Sequence, residues 1–296
     1  MPVVISVILV LVFHTAIILM GGSYKRVENV LLAISAFILV YLAAFVIVPI
    51  KPPQEVYGAL LSMFLPSSYA NSLYVTLLAA NIGAVVMPWM LYYQQSAIVD
   101  KGLRREHYTH ERFETAMGAV ISETLMIGSL LVGYWLRVRG GGGVIDNFQS
   151  ALLSISRVIS PYWFVVAAVG MIAAALLAIF VISLGFAYGL SEYFNWPAGL
   201  VGGCVRPGGF YAFYVVEIVP AALIILFMRD LVNLILGIMI FNAIALAIPT
   251  YLLIGLASRK DVVGDYAIGR ARAIVLYIVT TALIIAGGAY AVVTAV

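Results

Sequence analysis

Long hydrophobic runs separated by short polar joints make up almost the whole chain. Eight of these runs reach the roughly 20 residues that a helix needs to cross the hydrocarbon core of a bilayer. They cover residues 2–22, 27–50, 73–99, 114–136, 162–188, 210–228, 231–256 and 273–296. Apolar runs of this length predict membrane-spanning helices. We therefore predict an all-α integral membrane protein with about eight transmembrane helices in a single transmembrane domain, residues 1–296.

Composition and charge agree with this class and orient the chain. Of the 296 residues, 64% are hydrophobic and 10% are charged, whereas soluble domains are roughly 45–50% apolar and about 25% charged. Eleven of the sixteen Lys and Arg residues lie in the first, third, fifth and seventh joints, and five lie in the other three. Because cytoplasmic joints carry the excess of positive charge, we expect a multi-pass plasma-membrane protein with both termini outside.

The sequence lacks the motifs of enzymes and of standard metal cofactor sites. Cys204 is the only cysteine, which excludes an internal disulfide and a Cys/His zinc pattern. The stretch HYTHE, His107–Glu111, mimics a metal cluster but has neither the HExxH nor the HxxEH order. Since it lies in a basic joint, we predict a solvated loop there. We expect no enzymatic activity, no cofactor and no nucleic-acid partner.

A proline interrupts the middle of the third run. Pro88 has no backbone N–H and its ring clashes with the carbonyl of Ala84, which costs about 3 kcal/mol in a helix interior. We therefore predict a break within residues 84–89. One interpretation is a packing kink, because Pro is more frequent in membrane helices than in soluble ones and Met fills gaps in packing. The other is an ion site, in which the Ala84 carbonyl and the Met87 thioether bind a metal, sulfur favouring transition metals over magnesium or calcium.

Other polar residues inside the apolar runs are candidates for an ion path or a relay. Asn81 lies three residues before the predicted break, and Glu123 and Glu217 lie inside spans. A charged group at the bilayer centre costs roughly 2.5–3.5 kcal/mol, so such residues usually face a partner or a cavity. For Glu123 a proton or cation relay and a neutral interhelical carboxyl remain open. For Glu217 we favour the hydrogen-bonded carboxyl, and for His14 a core histidine.

The sequence around the break resembles the broken sixth helix of the Nramp family of proton-coupled divalent metal transporters. That family has Ala-x-x-Met-Pro-His-Asn where this chain has Ala84-Val85-Val86-Met87-Pro88-Trp89-Met90. Three further stretches resemble family segments in the family's order. They are GGSYKRVENVLLA (Gly21–Ala33), AALLAIFVISLGFAYGLSEYFNW (Ala174–Trp196) and MIFNAIALAIPTYLLIGLAS (Met239–Ser258).

The resemblance implies a fold, a function and a few site residues. The fold is that of leucine-transporter-like inverted repeats, with residues 1–50 as the last two helices of the first repeat. Residues 73–256 form the second five-helix repeat, and residues 273–296 form an extra helix. The function is secondary active transport of a divalent transition metal of the manganese or iron kind across the lipid bilayer. The Ala84 carbonyl and the Met87 sulfur bind the metal, and Asn242 lies where the family has an amide near the path.

The chain also departs from the family pattern. It contains no Asp-Pro-Gly-Asn, the motif of the family's first helix that supplies the other half of the metal site. We therefore expect that the equivalent of the first three helices is missing. The alternative function is a non-transporting subunit or remnant that needs a second chain carrying that motif. Trp89 and Met90 replace the family's His and Asn, and an indole cannot exchange a proton near neutral pH as histidine does. The chain is therefore expected to be a divergent branch.

Overall fold

A computed structural model describes the chain over most of its length. The described residues are 3–21, 24–39, 57–58, 61, 72–139, 147–200, 208–228 and 230–295. Within them the regular structure is α-helix with short 3-10 turns, and these ranges contain no β-strand. In chain order the helices are α1 Val3–Gly21, α2 Tyr24–Ala36, α3 Ser72–Val85, α4 Pro88–Asp100, α5 Tyr108–Arg139, α6 Phe148–Val158, α7 Trp163–Tyr193, α8 Gly208–Val216, α9 Ile218–Phe227, α10 Leu231–Ala245, α11 Ala247–Ala257, α12 Lys260–Val263 and α13 Arg270–Ala295.

Six stretches of the described chain are long and apolar enough to cross a membrane, and each coincides with a predicted run. They are Leu73–Asp100, Arg105–Leu136, Trp163–Tyr193, Gly208–Phe227, Leu231–Ala257 and Arg270–Gly287. The first predicted run is helical as α1, and the second begins as α2. The rest of that second run, residues 40–50, lies outside the described residues. The predicted all-α membrane class is confirmed.

Two polar joints contain helix that the apolar pattern did not predict. Residues 148–158 form α6, which begins at the cap residue Asn147, whose side-chain oxygen accepts the Ser150 N–H at 2.8 Å. Its apolar face buries Ile155 against α5 and α7, which explains why this short amphipathic segment is ordered. The loop predicted for His107–Glu111 is also wrong, because α5 begins at Tyr108. His107 is exposed, and its Nδ1 accepts the Arg104 N–H at 3.2 Å.

Prolines explain two further interruptions within spanning stretches. Pro220 follows the turn at Glu217 that separates α8 from α9, and Pro249 follows the turn at Leu246 that separates α10 from α11. A proline supplies no N–H to the carbonyl four residues earlier and its ring crowds that carbonyl. Those carbonyls belong to Val216 and Ala245, the last residues of α8 and α10. The two helices therefore end where their hydrogen-bonding partner is missing.

Contacts group the chain into two units, each with its own packed interior. The first unit comprises Met1–Pro53 and Tyr93–Phe227. Its largest core surrounds α7 and α8, where Phe180, Tyr188 and Tyr214 are almost completely buried. A smaller core joins α5, α6 and α7. Aromatic side chains fill the α7–α8 interface because they bury the largest apolar area per residue.

The second unit comprises Gln54–Tyr92 and Met228–Val296 and is built on close contact between α3 and α10. Ala79, Ala80 and Gly83 of α3 form the contact face, with both alanines at most 2% exposed. A Cβ atom at Gly83 would lie 1.6 Å from the backbone oxygen of Met239. Small residues four apart allow membrane helices to approach backbone to backbone. The unit that carries the Met87 break is therefore held by small-residue packing.

Candidate ion site in a broken helix

The third predicted span breaks at Val86 and Met87. Helix α3 ends at Val85, the next two residues are not helical, and α4 begins at Pro88. The last bond before the break is long, with the Val86 N–H 3.5 Å from the carbonyl oxygen of Ile82. After it, the Met90 N–H donates to the Met87 carbonyl at 3.1 Å. The break predicted within residues 84–89 is confirmed.

The break leaves the carbonyl oxygen of Ala84 without its usual donor. In a continuous helix this oxygen would accept the N–H of residue 88, but Pro88 has none. The end of α3 also carries the partial negative charge of a helix C-terminus, which attracts a cation. Ala84 as a whole residue is half-buried. The backbone at this point therefore has the chemistry of a cation ligand.

The side chains of Met87 and Trp89 contact each other directly. The indole Nε1–H of Trp89 donates to the Sδ atom of Met87 at 3.1 Å. Both side chains are half-buried. A thioether sulfur is a weak acceptor, and this bond places the indole N–H beside it. Sequence inspection treated these residues separately and missed their contact.

Two other predicted path residues belong to the same unit as the break. Asn81 lies on α3 and its side chain is exposed. Asn242 lies on α10 and is half-buried. Because Gly83 touches the backbone of Met239 and Ala243, Asn242 lies on the stretch of α10 that faces the end of α3. Whether either amide serves an ion path stays a prediction.

Glu123, Glu217 and His14 lie in the first unit. Glu123 is half-buried on α5. The Ser183 hydroxyl donates to Glu217 Oε1 and joins α7 to the α8–α9 turn. This confirms the expectation of a hydrogen-bonded carboxyl at that position.

His14 is a core histidine, as expected. It is 1% exposed and stacks between Phe180 and Tyr214. Its Nε2 lies 3.4 Å from the Tyr214 carbonyl oxygen, which can only accept, so Nε2 carries the proton. The Tyr214 hydroxyl then donates to Nδ1 at 3.3 Å. Both ring nitrogens of His14 are therefore satisfied within the core.

The far end of α4 is anchored by polar contacts that sequence inspection did not find. Asp100 accepts a hydrogen bond from the Tyr188 hydroxyl and another from the Leu200 N–H at 2.8 Å. One helical turn earlier, the Ser96 hydroxyl donates to Glu192 at 2.7 Å. The partners are about 100 positions apart in the sequence, which is why no local pattern revealed them. These bonds fix the second half of the broken helix to α7 and to the chain that follows it.

Lys101 extends this anchor to α2. Its ammonium group lies 2.8 Å from Glu28 Oε1. Partial burial acts to lower the pKa of Lys101, but the Glu28 carboxylate and the charges of Glu114 and Glu111 outweigh it and raise the pKa above its ordinary value. Lys101 is therefore cationic at neutral pH, and the pair ties α4 to the helix that begins at Tyr24.

A cavity of about 250 Å³ lies beside α2 and has mainly apolar walls. Four leucines line it, together with Glu28, Ser35 and Tyr93. Its single carboxylate, from Glu28, is already paired with Lys101. The mainly apolar walls offer no further charged ligand. The break at Met87 lies in the other unit, and its role as an ion site stays a prediction.

The class of protein that these features indicate is a membrane transporter. A helix of the multi-pass membrane domain is broken, and the break carries a freed carbonyl and a thioether. It is the construction that transporters use to hold an ion in the membrane. Within the described part of the chain, no group of three or more His, Cys, Asp or Glu side chains could hold a metal. The donor atoms that residues 84–87 themselves offer at the break are backbone oxygens and the Met87 sulfur.

Comparison with known families identifies the family to which the chain belongs. Residues 1–294 match the family described as Nramp, natural resistance-associated macrophage protein-like. The chain belongs to this family, and it is a divalent metal transporter in the general sense that membership implies. The family comprises transporters and not enzymes. No curated protein matches the chain.

Proposed function

We propose that this chain moves a divalent transition metal of the manganese or iron kind through the membrane, using the break between α3 and α4 as its binding site. The observation that carries the proposal is the end of α3 at Val85 with Pro88 opening α4, which frees the Ala84 carbonyl three positions before Met87. A sulfur ligand favours transition metals over magnesium and calcium. Alternating access would reorient the surrounding helices about this site.

The orientation and the path belong to the same proposal. The protein lies in the plasma membrane. Its odd-numbered joints, which hold eleven of the sixteen basic residues, face the cytoplasm, and both termini lie outside. Asn81 and Asn242 supply amide oxygens near the site, and Glu123 is the candidate relay. The lipid bilayer and the metal substrate are the partners.

Restoring the backbone donor at residue 88 tests the role of the break. Pro88→Ala supplies an N–H to the Ala84 carbonyl and removes a ring clash that costs about 3 kcal/mol in a helix interior. We expect the helix to become continuous. Manganese uptake into proteoliposomes should fall at least about tenfold, which corresponds to a free-energy difference of about 1.4 kcal/mol. Pro220→Ala, which changes the α8–α9 break instead, is the matched control. Equal uptake by wild type and Pro88→Ala would remove the break from the transport site.

A second prediction concerns coupling to protons. Trp89 stands where the family has a titratable histidine, and an indole does not change its charge near neutral pH. Metal uptake is therefore expected to depend only weakly on an imposed pH gradient. The measurement is manganese uptake into proteoliposomes with and without the gradient, together with an internal pH dye. Strong internal acidification that accompanies metal entry would show a relay elsewhere, and loss of that signal in Glu123→Gln would place it on α5.

A subunit role is the second candidate function. It is favoured by the neutral ligand set at the break, because a buried divalent ion needs compensating charge. The sequence lacks the Asp-Pro-Gly-Asn that supplies such charge in the family. In this case the purified chain should bind manganese weakly, and co-expression with a chain carrying that motif should restore binding. Titration of the lone chain with manganese measures its affinity. Micromolar binding that persists in Glu123→Gln and in Glu217→Gln would exclude the subunit role.

A further inference from the structure

The joint between α11 and α13 collects basic side chains at one end of two membrane-spanning helices. Helix α11 ends at Ala257 and α13 begins at Arg270. The Ile268 N–H donates to the Ala257 carbonyl oxygen at 2.9 Å, which closes the joint into a hairpin. The basic residues of the joint all lie within four positions of this bond along the chain, and they are Arg259, Lys260, Arg270 and Arg272. They therefore lie at the same end of the α11–α13 pair. We call residues 258–272 the basic hairpin.

Most of the positive charge of the basic hairpin has no acidic partner. Arg259 pairs with Asp261, and its Nε–H donates to Asp261 Oδ1 at 3.1 Å. The other three basic side chains are exposed, and no described residue forms an ion pair with any of them. Asp265 is the second acid of the hairpin, which therefore carries a net charge of +2. The hairpin thus presents uncompensated and accessible positive charge.

The basic hairpin lies at the depth of lipid headgroups. The spanning stretch Leu231–Ala257 ends just before it, and the stretch Arg270–Gly287 begins within it. Lys and Arg near the ends of spanning helices extend their charged groups to the membrane interface. Tyr266 is 49% exposed in the hairpin, and tyrosine is enriched at the same interface. The exposed side chain of Val262 adds an apolar contact beside these charges.

A phospholipid with an anionic headgroup matches this combination of charge and depth. Clusters of about four or more Lys and Arg residues directly beside a spanning helix attract anionic lipids of the cytoplasmic leaflet. Each basic residue strengthens the attraction about fivefold, which corresponds to about 1 kcal/mol. In the proposed orientation this joint faces the cytoplasm, and only on this point does the inference rest on the proposed function.

We propose that the basic hairpin binds the headgroup of an anionic phospholipid through Lys260, Arg270 and Arg272. The headgroup neutralises cations that would otherwise repel one another across the closed joint. Because such a lipid binds the folded hairpin, it stabilises the folded state. The ends of α11 and α13 are therefore held together by the Ile268 bond and by the bound lipid.

Titration of the purified full-length chain with phosphatidylglycerol tests the site. The protein is kept in a nonionic detergent without added metal, and the polarisation of a fluorescent acyl chain on the lipid reports binding. Phosphatidylglycerol should bind more tightly than zwitterionic phosphatidylcholine. The preference should shrink in 1 M salt, where the Debye length falls to about 3 Å. Bound phosphatidylglycerol should also raise the midpoint of thermal unfolding.

Substitutions in the hairpin separate a charge effect from a structural one. Arg270→Gln and Arg272→Gln should each weaken phosphatidylglycerol binding about fivefold, and the double variant about 25-fold. Arg270→Lys keeps the charge and should bind like the wild type. Arg112→Gln is the matched control, because Arg112 is an exposed residue of α5 that lies over the Tyr108 ring at 5.6 Å. It removes the same charge from another joint and should leave the affinity unchanged.

Three results would overturn the proposal. Equal affinity for phosphatidylglycerol and phosphatidylcholine would show that the headgroup charge is not recognised. Equal losses in Arg112→Gln and Arg270→Gln would show that only the net charge of the protein matters. Displacement of the lipid by inorganic phosphate would show a general anion site instead of a lipid site.

The lipid measurement is independent of metal transport. It uses no metal and no sealed membrane, so equal binding of the two lipids would leave the proposed manganese uptake unaffected. Absence of manganese uptake by a preparation that binds phosphatidylglycerol through Arg270 and Arg272 would contradict the proposed function and support the lipid site.

Discussion

Replacing Met87 by alanine is expected to lower the discrimination of manganese and cadmium against calcium and magnesium by on the order of tenfold, equivalent to about 1.4 kcal/mol. The structure places Met87 in the two-residue interruption between α3 and α4, with the Trp89 indole N–H beside its sulfur. The sulfur is a donor that soft metals prefer and that hard cations do not use. Without the sulfur, the proposed site keeps the Ala84 carbonyl, an oxygen that does not distinguish among the four ions in this way.

Competition uptake in proteoliposomes measures this effect. Each competing cation is added in excess over labelled manganese, and the inhibition profile is compared between wild type and Met87→Ala. Met117→Ala, on α5 and 43% exposed, controls for the loss of a methionine elsewhere. A profile identical to that of the wild type would exclude Met87 from the metal site.

A methyl group at Gly83 is expected to destabilise the second unit severely. The added Cβ would lie 1.6 Å from the Met239 carbonyl oxygen and 2.8 Å from the Ala243 nitrogen, so two backbones must separate. Overpacking against flexible side chains costs about 1–3 kcal/mol, and a backbone cannot repack in that way. We expect Gly83→Ala to lower the free energy of unfolding by at least about 3 kcal/mol, the top of that range.

Gly237→Ala provides the matched comparison on the helix that faces Gly83. Nothing lies within 4 Å of a Cβ atom at Gly237, so the substitution meets open space. An alanine in a helix interior is preferred to glycine by roughly 0.5–1 kcal/mol. Thermal unfolding in detergent should therefore show a large loss for Gly83→Ala and a small gain for Gly237→Ala. Equal midpoints for the two variants would contradict the backbone contact between α3 and α10.

Much of the fold could be predicted because the membrane imposes a local rule. Each spanning helix must present a long apolar run, so Leu73–Asp100 and Trp163–Tyr193 were visible from hydrophobicity alone. Helix α6 was missed because its 11 residues are amphipathic and too short to cross. The start of α5 at Tyr108 was missed because the positions of apolar residues do not distinguish a polar helix from a polar loop.

Some features of the candidate site could likewise be predicted from the sequence, and others could not. Ala84 and Met87 were predicted from Pro88, whose missing N–H acts on a carbonyl at a fixed distance along the chain. The contact between Met87 and Trp89 depends on side-chain rotation, which the order of residues does not specify. The role of Asp100 depends on Tyr188 and Leu200, which are 88 and 100 positions away. Such pairings arise only when helices pack.

The sequence by itself determined the membrane class, the position of most spans, the break at Met87 and the resemblance that the family match confirmed. Each of these follows from the chemistry of neighbouring residues, namely their transfer into lipid and the geometry of proline. The tertiary structure alone decided that Gly83 meets the backbone of α10, that Asp100 fastens α4 to α7, and that an indole N–H lies beside the Met87 sulfur. These depend on which helix faces which and on the rotamers that packing permits, and neither is encoded in any short stretch of the chain.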